Sequence, residues 1–347
     1  MAESVGENER VCNEDDVRGG QDTPMMPLTE RILERLGRPK WLWMCLWAAV
    51  PLISPLVFST AITATGRRFG AEDFIDLYTT QAVLAYVCLV FLWGAGELAR
   101  QATEVKQEIS EIVSDQPPVR VFGGISSVAA PLVLTAVAVV VISAGGFLQY
   151  GPLPPIASLP VLLVYLVPIL TLIWVYLRIL IDIDHLGRRS LALDAFPQDR
   201  TLGLEKIGSL ASTGLGIVLI GAVPVLLAGS DEPVTLGISL VIVAASVGTF
   251  LLSMWRLHRQ MSAAKARYIR IARDLHDLAY APIRREPTIG RLEEQATVLK
   301  AAQSLNERAH GLPTWPINES TLRFIAVVVT GVVTSMVVRG LFATVEG

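Results

Sequence analysis

Seven apolar stretches, each near the length that crosses a lipid bilayer, constrain this chain more than any other feature. They cover residues 41–62, 77–99, 128–148, 159–181, 212–228, 234–254 and 322–341. A bilayer core holds no water to bind free backbone groups, so a crossing segment is a helix of roughly 20 apolar residues. With 52% hydrophobic and 18% charged residues, the chain is predicted to be all-α, a polytopic transmembrane helical bundle of about seven spans.

The fifth stretch leaves an alternative open. It is the shortest, and helix-weakening residues interrupt it at Gly214, Gly216, Gly221 and Pro224. If this stretch were re-entrant, every later segment would change sides of the membrane.

Lysine and arginine predict the orientation, because cytosolic segments of membrane proteins carry an excess of both. With seven spans and a cytosolic N-terminus, Arg67, Arg68 and Arg339 lie outside and the other 26 of the 29 basic residues lie inside. The predicted location is the cell inner (plasma) membrane, with a cytosolic N-terminus and the C-terminus outside. The three cysteines (Cys12, Cys45, Cys88) encode no disulfide framework.

Four regions are expected along the chain. Residues 1–27 are acidic and lack an apolar signal-peptide core, so they are interpreted as a disordered cytosolic tail. Residues 28–255 hold spans one to six, with a helical extension of the second span over 98–116. Residues 256–312 form a cytosolic helical hairpin, and residues 313–347 hold the last span and a short outer tail.

A heptad seam predicts the first helix of that hairpin, because its apolar residues alternate at spacings of four and three. The seam consists of Leu257, Met261, Ala264, Tyr268, Ile271, Leu275 and Leu278. Pro282 and Pro287 are expected to interrupt this helix, since proline cannot continue the hydrogen-bond ladder. The seam is interpreted either as an oligomerisation or stalk surface, or as a gating lever that moves the spans.

A basic stripe covers the same helix and predicts contact with anionic lipid headgroups. Its members are Arg256, Arg259, Lys265, Arg267, Arg270 and Arg273. The alternative is that these charges only report the positive-inside rule.

The string Ile271-Ala272-Arg273-Asp274-Leu275-His276-Asp277 resembles the H-box of one class of sensor histidine kinases. The resemblance implies that His276 is a phosphoryl acceptor with Asp277 as its neighbouring base. That family also has an ATP-binding domain, whereas only about 33 residues follow here before Gly311. His276 could then serve only as an acceptor for a separate kinase, and the alternative is that these residues form a solvated helix face.

Arg178 and Asp182 are four residues apart and are predicted to form an interfacial ion pair at the end of span four. A metal site that also uses Asp184 and His185 is the weaker alternative. No cofactor, metal, nucleic-acid partner or catalytic residue is predicted, because no nucleophile–base pair, phosphate loop or dinucleotide motif occurs in the sequence.

The spans are poor in ionisable residues and carry prolines and close pairs of small residues, which favours bendable, tightly packed helices. The sequence therefore predicts a homo-oligomeric gated channel or membrane effector that its cytosolic hairpin controls. The alternative is a non-transporting membrane signalling or scaffold protein. Expected partners are anionic lipids, further copies of the chain, and a cytosolic protein or small-molecule trigger.

Overall fold

The computed structural model describes residues 25–37, 39–64, 70–112, 121–144, 155–189, 204–228, 233–285 and 289–317, with helical pieces between 321 and 334. Over these ranges the regular structure is entirely helical, without strands, which confirms the all-α prediction. The helices are α1 Leu28–Leu36, α2 Lys40–Ala64, α3 Ala71–Ile112, α4 Ala129–Ala144, α5 Pro155–Leu186, α6 Glu205–Ala228, α7 Pro233–Arg285 and α8 Ile289–Gly311.

Five of these helices are long and apolar enough to cross a membrane. The qualifying windows are Lys40–Val57, Leu77–Gln107, Leu159–Leu186, Glu205–Pro224 and Val241–Arg285. The third and seventh predicted spans coincide with the shorter apolar helices Ala129–Ala144 and Thr321–Gly331. Residues 145–148 and 335–341 of those two predicted spans, and the acidic tail up to residue 24, lie outside the described residues. The chain is thus consistent with a membrane protein, and seven crossings stay a prediction.

The fifth predicted span is an unbroken helix in the structure, and its window Glu205–Pro224 is among the five long and apolar enough to cross a membrane. Helix α6 continues through Pro224 to Ala228. Its glycines admit aromatic rings from neighbouring helices, since a Cβ at Gly214 would lie 2.5 Å from the ring of Tyr176 and one at Gly221 would overlap the ring of Phe91. Close packing explains these glycines better than a break.

The main core lies between α3, α5, α6 and α7. Leu92, Leu172, Ile179 and Leu215 are fully buried there, and Phe250 of α7 is 1% exposed. The cytosolic extension predicted for span two is part of the same α3 helix, and its apolar positions are buried as far as they are described: Leu98, Ala102, Val105 and Ile109.

Helix α7 joins the bundle to the hairpin without a break. It has 53 residues, which at 1.5 Å per residue gives a length of about 80 Å. The predicted interruption at Pro282 was wrong, because the helix runs three residues further to Arg285. A proline this near the end removes one hydrogen bond from the last turns, so the helix tolerates it. Helix α8 then packs back along α7.

Candidate functional site

The C-terminal end of α5 is fastened to α7 where α7 leaves the core. Asp184 of α5 accepts from Arg256 of α7, with 2.8 Å between Oδ1 and Nε, and its other oxygen lies 2.8 Å from a guanidinium nitrogen of Arg188. Gly187 permits this approach, since a Cβ there would lie 2.9 Å from the Cβ of Arg256. One carboxylate therefore links Arg256 of α7 to Arg188, which lies two residues beyond the end of α5.

Gln260 adds a second connection between the same two helices. Its side-chain amide nitrogen donates to the carbonyl oxygens of Gly187 and Arg189, at 2.7 and 2.5 Å. Both carbonyls belong to the turn that follows α5, which ends at Leu186. Gln260 of α7 thus binds the chain where it leaves α5.

The chain that follows α8 is tied to α7 by a lysine and a histidine. Lys265 donates to the carbonyl oxygens of His310 and Leu312, at 2.9 and 2.8 Å. These carbonyls lie at the C-terminal end of α8, where the negative end of the helix dipole also stabilises a positive ammonium group. His258 donates through Nδ1 to the carbonyl oxygen of Thr314 at 2.7 Å and stacks on Trp315, with 4.3 Å between ring centroids.

Helix α6 reaches the same segment through a glycine. A Cβ at Gly208 would overlap the carbonyl oxygen of Pro316, so only glycine fits at this contact. We call the combined junction the hairpin base; it consists of Asp184, Gly187, Gly208, Arg256, His258, Gln260, Lys265 and the segment 312–317.

The predicted heptad seam divides into two parts. Leu257, Met261 and Ala264 are buried, and Tyr268 is half-buried. The three later members are exposed in the single chain: Ile271, Leu275 and Leu278. The contact with α8 follows a different set of residues in this part, namely Ala272, Ala279 and Ile283. The role of the exposed members as a gating or oligomer surface stays a prediction.

The basic stripe also divides. Arg256, although exposed, and Lys265 make contacts of the hairpin base, and the other four members are exposed: Arg259, Arg267, Arg270 and Arg273. Arg273 lies 19 residues beyond residue 254, where the sixth predicted span ends, on an unbroken helix, a rise of about 29 Å. A helix that continued straight out of the membrane would carry most of this stripe away from the lipid headgroups.

Arg178 and Asp182 form an ion pair on α5 with 3.0 Å between them. Asp182 is 5% exposed, and its second oxygen accepts the backbone N–H of Phe122 at 2.9 Å. Phe122 has a φ of 62°, the left-handed region that non-glycine residues seldom adopt. Trp174 holds the same turn through a 3.1 Å hydrogen bond to the carbonyl oxygen of Gly124. The pair therefore anchors the turn before α4.

His276 is exposed on α7, where its Nδ1 lies 3.9 Å from Asp277 Oδ1 and its ring stacks on Tyr280 with 5.6 Å between centroids. Asp184 and His185 do not assemble with Asp182 into a metal site. Within the described ranges, no group of three His, Cys, Asp or Glu side chains is placed to hold a metal ion.

Sequence reasoning missed a set of uncharged polar contacts among α2, α3 and α5. Trp47 donates through its indole nitrogen to the carbonyl oxygen of Val164 at 2.9 Å, and the Cys88 thiol lies 3.8 Å from the same oxygen. Tyr165, the next residue, hydrogen-bonds through its hydroxyl to buried Gln81. The signal that could have found them is Pro168, because a proline leaves the carbonyl four residues earlier without its helical donor.

No protein-family model, curated protein or solved structure matches this chain. Its function is therefore inferred from its own residues.

Proposed function

We propose that this protein is a homo-oligomeric gated channel or membrane effector of the cell inner membrane, and that the hairpin of α7 and α8 lies in the cytosol and controls its opening. The observation that carries the proposal is the continuity of α7, which belongs to the core at Phe250 and to the hairpin at Ala279. A rigid helix cannot move at one end without moving at the other.

The hairpin base supplies the coupling to further helices. Asp184 and Gln260 connect α7 to α5, and Gly208 connects the end of the hairpin to α6. Tilting of the hairpin must therefore break these contacts or carry α5 and α6 with it. Packed interfaces of this kind have discrete arrangements rather than a continuum, which is the property that a switch requires.

The polar contacts of the hairpin base favour a connection between α7 and α5 that can break and re-form over one that is permanent. Arg256 is 43% exposed on its side chain, and exposed ion pairs each contribute little to stability, about 0–1 kcal/mol. Such contacts can form and break at small cost. A cytosolic protein or small molecule that prefers one hairpin position would then shift the population of open and closed states.

Flux from proteoliposomes tests this proposal. A base variant that combines Arg256→Gln with Gln260→Ala removes the polar connection between α7 and α5. A tip variant that combines Arg284→Gln with Gln303→Ala makes the same two changes at exposed positions of the hairpin. We expect the base variant to change ion or solute flux about fivefold or more, as a coupling of 1–3 kcal/mol would, and the tip variant to match the wild type.

Two results would contradict the proposal. If no variant gives flux although folded protein is in the vesicles, the protein is not a channel. If wild-type, base and tip variants give equal flux, the protein forms a pore but the hairpin does not control it.

A signalling or scaffold protein is the second candidate, and the exposed outer surface of the hairpin favours it. His276 is 52% exposed on its side chain, so a separate kinase could reach it. This candidate predicts acid-labile phosphate that disappears in His276→Ala, together with intact vesicles and no flux.

A further inference from the structure

Four arginines of the basic stripe are exposed on α7 and form no salt bridge with any residue that the structure describes: Arg259, Arg267, Arg270 and Arg273. The last three follow one another at spacings of three residues, so their like charges lie side by side on the helix and repel each other. Asp274 and Asp277 come next and are exposed, but within the described residues neither pairs with an arginine. This surface is therefore open to an acidic partner.

The stripe continues the side of α7 that meets the end of α5. Arg256 binds Asp184 of α5, and Gln260 binds the turn after it. Arg267 lies 11 residues after Arg256 and seven after Gln260, which is about three and about two helical turns, so it points to the same side. Lys265, which binds the C-terminal end of α8, lies nine residues after Arg256, about two and a half turns and hence on the opposite side. The hairpin itself thus leaves the stripe uncovered.

Lipid headgroups are a poor partner for most of this stripe. On a helix that leaves the membrane straight, Arg267 and Arg273 stand about 20 and about 29 Å beyond residue 254, where the sixth predicted span ends. The electrostatic attraction between charges in physiological salt is screened over about 8 Å. The stripe therefore needs an acidic partner that stands beside the hairpin in water.

The acidic beginning of the chain joins the described structure at the hairpin end of the bundle. Residues 1–24 contain seven carboxylates and two arginines, and Glu14, Asp15 and Asp16 are consecutive. Met25 follows this segment and is buried in the main core, which also contains Met261 of α7. The most acidic part of the sequence is thus attached near the start of the stripe.

Polar contacts connect this attachment point to the stripe. Arg31 of α1 donates to the carbonyl oxygen of Ser126 at 2.9 Å, and the turn that contains Ser126 donates a backbone N–H to Asp182 of α5, also at 2.9 Å. Asp182 lies two residues before Asp184, which binds Arg256. Helix α1, the end of α5 and the first arginine of the stripe are therefore neighbours.

We propose that residues 1–24 dock on the four exposed arginines of the same chain. A segment of 24 residues spans at most about 80 Å, whereas the stripe from Arg256 to Arg273 is about 25 Å long, so the segment can reach every member. Attachment to α1 raises its local concentration at the stripe to about the millimolar range, at which weak surface ion pairs suffice to hold it. The docked segment adds an ionic contact next to the hairpin base, and this contact weakens as the salt concentration rises.

Disulfide cross-linking of the purified full-length protein tests the docking, because Cys12 lies within the acidic segment. Cys45 is replaced by serine, and the fully buried Cys88 is kept. Ala263→Cys then places a second thiol at an exposed position midway between Arg259 and Arg267.

Ser304→Cys is the matched control, because Ser304 is also exposed but lies on α8, on the other side of the hairpin. At low salt, mild oxidation should form the internal disulfide about tenfold faster in Ala263→Cys than in Ser304→Cys, since docking raises the local concentration of Cys12 only at the stripe.

A charge-neutral segment provides the second measurement. Combining Glu14→Gln, Asp15→Asn and Asp16→Asn in the Ala263→Cys protein should reduce its rate to that of the Ser304→Cys control. Raising the salt to about 0.5 M should have the same effect, because salt screens exposed charges.

Each other result would overturn the docking. Equal rates at the two positions, or a rate that neither neutralisation nor salt changes, would show that the arginines do not hold the segment. A covalent dimer in place of the internal disulfide would assign the segment to another copy. A rate advantage that is lost in vesicles containing phosphatidylserine would assign the stripe to lipid headgroups. Cross-linking needs no transport activity, so none of these results bears on the channel.

Discussion

The indole of Trp47 in α2 donates a 2.9 Å hydrogen bond to the backbone carbonyl oxygen of Val164 in α5. Pro168 lies four residues after Val164 and has no N–H, so this carbonyl lacks the donor that a regular helix provides. In an apolar environment an unpaired carbonyl is costly, and a neighbouring helix that pairs it gains stability. A proline thus specifies a contact between two helices that are far apart in sequence.

Trp47→Phe should lower the stability of the bundle by about 1 kcal/mol, because the ring is kept while the donor is lost. Thermal unfolding in detergent measures the effect. Trp41→Phe is the control on the same helix, since Trp41 is 64% exposed. If Trp41→Phe lowers the stability as much as Trp47→Phe does, the hydrogen bond of Trp47 contributes nothing.

Two glycine-to-alanine changes in the helices should shift the stability of the folded protein in opposite directions. At Gly208 the new Cβ would overlap the carbonyl oxygen of Pro316, whereas nothing lies within 4 Å of a Cβ at Gly248. Gly208→Ala should destabilise the protein by about 1–3 kcal/mol through overpacking. Gly248→Ala should stabilise it by about 0.5–1 kcal/mol through helix propensity. The midpoint of thermal unfolding should move down in the first variant and up in the second.

A double-mutant cycle should detect the contact between Asp184 and Arg256. With Asp184→Asn, Arg256→Gln and the combined variant, we expect a coupling free energy of about 0.5 kcal/mol, the size usual for a partly exposed pair. Asp277→Asn combined with Arg256→Gln should give a coupling near zero, because those residues are 21 positions apart on one helix. Equal couplings in the two cycles would contradict a specific pair.

Asp182→Ala should be among the most damaging carboxylate changes. It removes the acceptor of the Phe122 N–H and leaves Arg178 without its partner in a largely buried site. The expected loss is about 3 kcal/mol. Asp277→Ala, at an exposed position, should change stability by less than about 0.5 kcal/mol. Urea or thermal unfolding compares them, and a similar small effect at both positions would argue against Asp182 as an anchor.

The parts of this molecule that periodicity specifies were predictable. A helical extension of the second span was predicted over 98–116, and the apolar residues spaced three and four apart along it, Leu98, Ala102, Val105 and Ile109, are buried on one face. Leu257 and Met261, predicted as the start of the hairpin seam, are buried in the main core.

Beyond Tyr268, the residues that carry the apolar periodicity are not the ones that contact α8. Leucine and isoleucine carried the apolar pattern, but α8 packs on the alanines beside them because short side chains allow the closer approach. A hydrophobicity pattern ranks residues by how much they gain from burial and contains no information on how near two backbones come.

The hairpin base was not predictable for a related reason. Asp184, Gly208 and the pair Gln260 and Lys265 come from segments far apart in sequence. The sequence patterns that include Lys265 and Asp184, a basic stripe and an alternative metal site, do not predict these contacts. The partners of these residues are mostly backbone carbonyls at helix ends, a type of acceptor that every residue carries.

The amino-acid order alone determined that this chain is helical and that its long helices are apolar enough for a membrane, because both properties are sums over neighbouring residues. The tertiary structure decided which surfaces meet: Trp47 with the carbonyl freed by Pro168, Gly208 with Pro316, and Asp184 with Arg256. Those pairings depend on distances between helices, and a distance between helices is set only when all of them pack at once.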